Sequence, residues 1–199
     1  MSKLVFDLDG VIITYEKNFA ETYAAEFNLD VAMIYKFFSE DYRDCAIGRS
    51  NLADEIARYL PAWKWPGDSA SLIAYWFDCQ SQINVKLIEL IEESKSAGHT
   101  CYIASDQDFI RSQYICALFD VDSLFDACFF SCDLGVTKTD PLFFRHVLSR
   151  LGDRATDVYF WDDNPDNVAT AQRLGINAEL FVTYEAFEPS FSERFRPLR

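Results

Sequence analysis

Asp7 and Asp9 stand one residue apart where the short apolar run Leu4-Val5-Phe6 ends, and Gly10 follows them. Carboxylates so spaced at the mouth of a strand can divide labour. One attacks a substrate, while the other handles protons. Asp and Gly after a strand are also ordinary turn chemistry, so the pair gains its meaning from three later segments. The run Thr100-Cys101-Tyr102-Ile103-Ala104-Ser105-Asp106 stops at a hydroxyl and an acid just before a helical stretch. Ser105 and the amides after it would then sit at a helix N-terminus, a ready anion site. Lys138 is a lone cation ahead of a helix started by Asp140 and Pro141, from where it can reach back toward a strand end. The run Val158-Tyr159-Phe160-Trp161 ends in the adjacent acids Asp162 and Asp163, with Asn164 as helix cap and Pro165 at the first helical position. Adjacent acids at a strand end are costly unless they share a cation.

Four strand ends must therefore be brought together. From Asn84 onward, helix and strand signals alternate regularly, which predicts βαβ units around a parallel sheet. Asn84 caps a helix to Ala97 that Gly98 ends, and the strand to Ser105 follows. A helix from about Asp108 to Leu118, a strand Ala127–Phe130 and a helix Pro141–Leu151 come next. The strand to Asp162, the helix Pro165–Leu174 and a last strand near Ala178–Val182 complete five strands. All the candidate residues lie at carboxyl ends, where open α/β sheets place ligands. Between Thr14 and about Ser81 the alternation gives way to helices over Glu16–Phe27, Val31–Phe38 and Ser50–Leu60, with one more after Pro66-Gly67. Phe19, Tyr23 and Phe27 fall at four-residue steps on one helix face. The expected division is a core of residues 1–14 and 82–199 and a helical cap of residues 15–81. That cap leaves and rejoins the core beside Asp7, so it can close over the site and exclude water. The tail from Thr183, with Pro189 and Pro197, reads as surface loop.

In this order, the Asp-Leu-Asp-Gly of positions 7–10, Ser105, Lys138 and Asp162-Asp163 resemble the motifs of the haloacid dehalogenase superfamily of phosphotransferases. The likeness is to the subgroup with a small helical cap, and it runs from Lys3 to about Phe181. Four ordered motifs, each closing a strand, carry far more weight than any one of them. The resemblance implies a Rossmann-like three-layer α/β/α core with a parallel sheet and a small all-helical cap inserted after the first strand. It implies that Asp7 is the nucleophile that forms an aspartyl-phosphate, with Asp9 as general acid and base. Ser105 would hold the transferring phosphoryl group, and Lys138 would neutralise both nucleophile and phosphate. Asp7, Asp162, Asp163 and the backbone carbonyl of Asp9 would hold Mg²⁺.

Departures from the family pattern are also visible. Asp106 replaces the usual Asn and adds negative charge beside an anion site, Thr139 stands where Pro commonly follows the lysine, and Trp161 replaces a small aliphatic. Dehalogenases of the family attack carbon and lack the second carboxylate, so Asp9 favours phosphate-ester chemistry. In the cap, Gly48-Arg49-Ser50 resembles the loop that related enzymes lower over their substrates. Arg49 is thus a candidate substrate contact alongside Ser105, Asp106 and Lys138.

Elementary charge chemistry agrees with that assignment. Phosphoryl transfer demands positioning and charge compensation, and a hard cation suits carboxylate oxygens. His99 and His146 have no second ligand at metal spacing, which argues against zinc. The 199 residues hold one full core and a small accessory unit, half of them hydrophobic and 16% aromatic. The net charge, 18 − 32 = −14, opposes nucleic acid and anionic membranes. No charged leader with an apolar stretch opens the chain, so a soluble, cytoplasmic protein is expected. The six cysteines form no C-x-x-C pair and read as small buried hydrophobes. The expected activity is a Mg²⁺-dependent phosphatase of a small phosphorylated metabolite. A phosphomutase and a catalytically weak binding or regulatory protein are the alternatives, and the oligomeric state is not legible.

Overall fold

The computed structural model describes residues 1–15, 17–119, 124–152 and 154–196. In chain order the elements are β1 (Lys3–Phe6), β2 (Ile13–Thr14), α1 (Phe19–Phe27), α2 (Val31–Ser39), α3 (Tyr42–Ala46), α4 (Leu52–Ala57) and α5 (Ser69–Cys79). They continue with β3 (Gln82–Ile83), α6 (Val85–Ser96), β4 (Thr100–Ser105), α7 (Phe109–Phe119), β5 (Ala127–Phe130) and the short α8 (Ser131–Leu134). The last are α9 (Pro141–Leu151), β6 (Val158–Asp162), α10 (Pro165–Arg173), β7 (Asn177–Leu180) and α11 (Tyr184–Phe195).

β1 sits at the centre of a five-stranded sheet of order β5-β4-β1-β6-β7. Every pairing is parallel, with Phe6 opposite Ile103 on one side and Trp161 on the other. Because a central parallel strand is covered on both faces, it must be apolar throughout, and Leu4, Val5 and Phe6 are all buried. Their alternation builds two separate cores. Leu4 and Phe6 pack with Leu87 and Ile91 of α6, Ile115 of α7 and Phe187, Phe191 and Phe195 of α11. Val5 faces the other way, onto Phe143, Phe144 and Val147 of α9 and Val168 and Ala171 of α10. Helices thus cover both sides, giving the expected Rossmann-like α/β/α layering. The order reverses at β1, so the crevice between the ends of β4 and β6 is the natural ligand position.

β2 and β3 pair antiparallel, Ile13 with Ile83 and Thr14 with Gln82, and the chain between them forms α1 to α5. Short polar residues start these helices: Asn18 accepts from Glu21 N, Asp30 from Ala32 N, Asn51 from Ala53 N and Asp68 from Ser71 N. Helices this short bury few positions each, and large rings make up the volume. Phe19, Tyr23, Phe37, Trp63, Trp76 and Phe77 form a third apolar cluster of their own. Trp63 belongs to that cluster, while Trp65 is only half-buried and donates to Ser71 Oγ at 3.1 Å. No helix among the described residues is long and apolar enough to cross a membrane.

Several expectations need correction. The tail is not a loop: Thr183 caps α11, which runs to Phe195 with Pro189 inside it. Phe187, Phe191 and Phe195, at four-residue steps, are buried. Three buried Phe side chains contribute about 1.5–3 kcal/mol each, which outweighs the ~3 kcal/mol cost of a proline in a helix interior. The same helix accounts for Trp161. Its ring stacks on Phe6 at 5.2 Å and is enclosed by Phe187, Phe191 and Phe195. In the insert, α1 starts at Phe19 rather than earlier, Glu16 lies outside the described residues, α4 covers only Leu52–Ala57, and α3 was not foreseen. Of the cysteines, Cys45, Cys101 and Cys132 are buried as expected, but Cys116 is exposed on α7.

Candidate active site

Asp7 follows the last residue of β1, and its N–H still donates to Trp161 O at 2.9 Å, which fixes the backbone between two strands. The chain then turns sharply. Leu8 O accepts from the amides of Val11, Ile12 and Ile13. Gly10 takes φ +83°, and a Cβ there would lie 2.1 Å from Asp163 Oδ2. The fourth residue of the first motif is therefore glycine for two reasons, its left-handed backbone and the carboxylate packed against it.

Lys138 reaches the site from the loop before α9. Its Nζ lies 2.6 Å from Asp7 Oδ1 and 2.7 Å from Asp162 Oδ2, and all three side chains are buried. Asp162 is further fixed by Asn164 N at 2.8 Å and by Asn167 Nδ2, 3.1 Å from each of its oxygens. Asp163 is exposed as a residue, but its carboxyl packs against Gly10 and is partly dehydrated there, and oxygens of Asp7, Asp162 and Asp163 all lie within 4.8 Å of one another.

The charges in this cluster do not balance. Three carboxylates against one ammonium leave −3 + 1 = −2, and uncompensated buried charge is expensive. Asp7 responds with a carboxyl held well above the ordinary range. Burial is the main cause and the charge of Asp162 adds to it, while the Lys138 ion pair pulls the other way without prevailing. Burial and then Asp162 likewise push Asp163 up. For both acids dehydration outweighs crowding among the carboxylates. Lys138 would lose its proton more easily through burial alone, yet Asp7 and Asp162 outweigh that and hold its ammonium firmly charged. A deficit of two positive charges lined by hard carboxylate oxygens fits one divalent cation of the Mg²⁺ type.

Ser105 ends β4 with its side chain buried, and its Oγ accepts from Gln107 Nε2 at 3.0 Å. The same Nε2 donates to Asp9 Oδ2 at 2.7 Å, so one amide ties the serine to the second acid. Asp9 Oδ1 pairs with Arg111 Nη2 at 2.9 Å. Asp106 accepts the backbone N–H of Lys138 at 2.9 Å through Oδ1, joining the second and third motif loops, and burial raises its carboxyl. Its carboxylate is thus engaged with backbone as well as bordering an anion site. Tyr15, just past β2, has its hydroxyl pushed up to about 12, by burial first and then by Asp9, Asp163 and Asp7.

The structure thus links Asp7, Asp9, Ser105, Asp106, Lys138, Asp162 and Asp163 around one crevice. Arg49 stands apart. It is exposed on the wall of a cleft of about 610 Å³, with Arg43 and Asp44 on the insert side and Asp106, Thr137 and Thr139 on the core side. Neither Asp7 nor Asp9 lines that cleft. The loop carrying Arg49 is seated on the core: Ser131 Oγ donates to Ala46 O at 2.5 Å, and a Cβ on Gly48 would come 2.6 Å from Cys132 O.

Sequence reasoning missed Gln107, Arg111 and Asn167. For Arg111 a signal existed, because a cation in the first turn of a helix opposes the helix dipole and calls for another explanation. Gln107 and Asn167 act through side-chain amides whose partners are remote in sequence or set by helix geometry, and nothing local marks them.

The chain is 29% identical over 111 residues to (S)-2-haloacid dehalogenase 4A of Burkholderia cepacia, covering 56% of this chain and 47% of that protein. It is 30% identical over 96 residues to the sesquiterpene phosphatase astK of Aspergillus oryzae, covering 47% of each. The chain thus spans just under half the length of either relative. Among solved structures, a haloacid dehalogenase family enzyme of Bacteroides thetaiotaomicron, in complex with magnesium and inorganic phosphate, superposes with a TM-score of 0.76 at 20% identity over 94% of this chain and 98% of that one. At that identity the likeness speaks for the fold alone. The model for haloacid dehalogenase-like hydrolases matches residues 3–175. With most of its length and all four of its strand-end motifs inside that match, the chain belongs to the haloacid dehalogenase-like hydrolase family.

Proposed function

We propose that the protein is a Mg²⁺-dependent phosphatase that hydrolyses a small phosphomonoester through an aspartyl-phosphate on Asp7. The observation that carries this reading is the second acid. Asp9 is present two residues after Asp7, and its oxygens receive hydrogen bonds from Gln107, just ahead of α7, and from Arg111 in its first turn. Attack on carbon needs no such group, whereas a phosphate ester needs an acid to protonate its leaving alkoxide.

Asp7 Oδ1 is already held by Leu8 N at 2.7 Å and by Lys138, so Oδ2 is the oxygen left for attack on phosphorus. A P–O bond forms to Asp7 as the ester P–O bond breaks, and Asp9 gives its proton to the departing oxygen. Asp9 then takes a proton from water as that water attacks the acyl phosphate, releasing inorganic phosphate and freeing Asp7. Lys138 and the Ser105 hydroxyl stabilise the negative charge spread over the equatorial oxygens. Mg²⁺ held by Asp7, Asp162 and Asp163, with the backbone carbonyl of Asp9, would supply the two positive charges that the cluster lacks.

Residues 15–81 serve in this reading as a cap that closes the crevice, with Arg49 and Arg43 on the wall of the neighbouring cleft as candidate contacts for the remainder of the substrate. The sesquiterpene phosphatase relative supports phosphate-ester chemistry. The test is a panel of phosphorylated metabolites assayed with Mg²⁺ and with EDTA. Phosphate release that depends on the metal supports the reading. Halide release from a 2-haloacid without phosphatase activity overturns it.

A further inference from the structure

We propose that Arg111 is the positioning residue for Asp9, fixing the side chain that gives a proton to the leaving group and then takes one from water, while the end of α5 is seated on the core. This rests on the phosphatase reading above. Arg111 lies in the first turn of α7, with a side chain only 2% exposed. Its Nη2 donates to Asp9 Oδ1 at 2.9 Å and to Gln80 O at 3.2 Å. Gln80 is the C-cap of α5, where the helical insert returns to β3. The guanidinium also lies 5.0 Å from the ring centroid of Phe77, on the same helix. One nitrogen therefore touches both the second acid of the core and the last turn of the insert.

A second tie runs beside the first. Asp108 caps α7 by accepting from the amides of Ile110 and Arg111, and its Oδ2 also accepts from Tyr42 in α3 at 3.2 Å. The turn that carries Arg111 is thus bound to the insert at two places. If α3 and α5 lift, Arg111 loses Phe77 and Gln80 and Asp108 loses Tyr42, so the guanidinium that grips Asp9 is no longer held from the insert side.

Stability alone does not explain the arginine. Its charge is dehydrated, it opposes the dipole of α7, and Nη1 is buried without a hydrogen-bond partner among the described residues. What the side chain gains is a fixed carboxylate at Asp9. General acid catalysis depends on that kind of placement, because the proton must lie within hydrogen-bond reach of the departing oxygen.

The test compares two substrates in the first turnover with Mg²⁺ present. 4-Nitrophenyl phosphate releases a stable phenolate that needs little protonation, whereas an alkyl phosphate releases an alkoxide that needs a full proton. General acid catalysis typically contributes about 10²–10⁴-fold. Arg111→Met is therefore expected to slow alkyl phosphate cleavage by about 100-fold or more, and the first release of nitrophenol by less than about tenfold. KM should change little for either, and Arg111→Lys should recover part of the loss. In an Asp9→Asn background, Arg111→Met should cost little more. Equal losses with both substrates, or losses that simply add to those of Asp9→Asn, would overturn the assignment while leaving the phosphatase intact. If Arg111→Met does not fold, Arg111→Lys and Phe77→Leu carry the same comparison. A wild-type protein that cleaves neither substrate removes the phosphatase reading itself.

Discussion

The ammonium of Lys138 lies 2.7 Å from Oδ2 of Asp162, and both side chains are sealed from solvent. A salt bridge in that position gives up the hydration of two ions, and it holds because Asp7 shares the same ammonium at 2.6 Å. The pair is therefore a charge centre around which the crevice is organised, rather than a surface contact.

Replacing the cation while keeping the volume tests this directly. Lys138→Met leaves Asp7 and Asp162 buried without their partner, and breaking a buried pair in this way costs about 3–5 kcal/mol. The variant should unfold at markedly lower denaturant concentration than the wild type, and added Mg²⁺ should restore part of the loss. Phosphate release should fall by about 10²–10³-fold, in line with losses seen when transition-state charge stabilisation is removed. Wild-type stability in Lys138→Met would contradict the charge-centre account.

Stability should also depend on pH in a way that the metal reverses. Asp7 and Asp163 both have carboxyls raised by burial, so the folded state binds more protons than the unfolded chain. Stability of the metal-free protein should therefore fall as pH rises from the ordinary carboxylate range through those raised values. Lys138, raised in turn, keeps its contribution until strongly alkaline pH. A divalent cation competes with the protons, so the rise in Tm on adding Mg²⁺ should be larger near about pH 8 than near about pH 5. Equal rises at both, or a larger one in acid, would contradict the expected linkage.

α11 should prove part of the core. Phe191 packs on Trp161 at 5.2 Å and on Phe6 at 6.1 Å, directly beneath the strand ends that carry Asp7 and Asp162. Phe191→Ala should cost about 3–5 kcal/mol, measurable by urea denaturation followed through tryptophan fluorescence. A change below about 1 kcal/mol would mean that the helix is only draped over the sheet.

The sheet and the strand-end acids were legible because each strand is a short apolar run closed by polar residues, with Asn84, Asp140 and Asn164 marking the helix starts beyond. α9, Pro141–Leu151, and β5, Ala127–Phe130, fall where the sequence places them. α11 was hidden by Pro189, although Phe187, Phe191 and Phe195 at four-residue spacing carried a helical signal. Trp161 looked out of place because the helix that encloses it was not foreseen. The grip on Asp9 was illegible for another reason: Gln107 and Arg111 are 98 and 102 residues from Asp9 in the chain, and only the fold brings them there. The role of Asp106 was half visible. Its charge was evident in the sequence, but its bond to Lys138 N depends on how two loops meet.

The central claim is that Asp7 forms a covalent bond to the transferred phosphoryl group. It is tested by acid-quenching the protein during turnover of 4-nitrophenyl phosphate with Mg²⁺ and mapping phosphate along the chain by peptide mass spectrometry. The account predicts a hydroxylamine-labile phosphoryl group on the peptide containing Asp7, more of it in Asp9→Asn because its hydrolysis lacks a base, and none in Asp7→Asn. Sustained turnover by Asp7→Asn, or phosphate bound covalently at another residue, would contradict it.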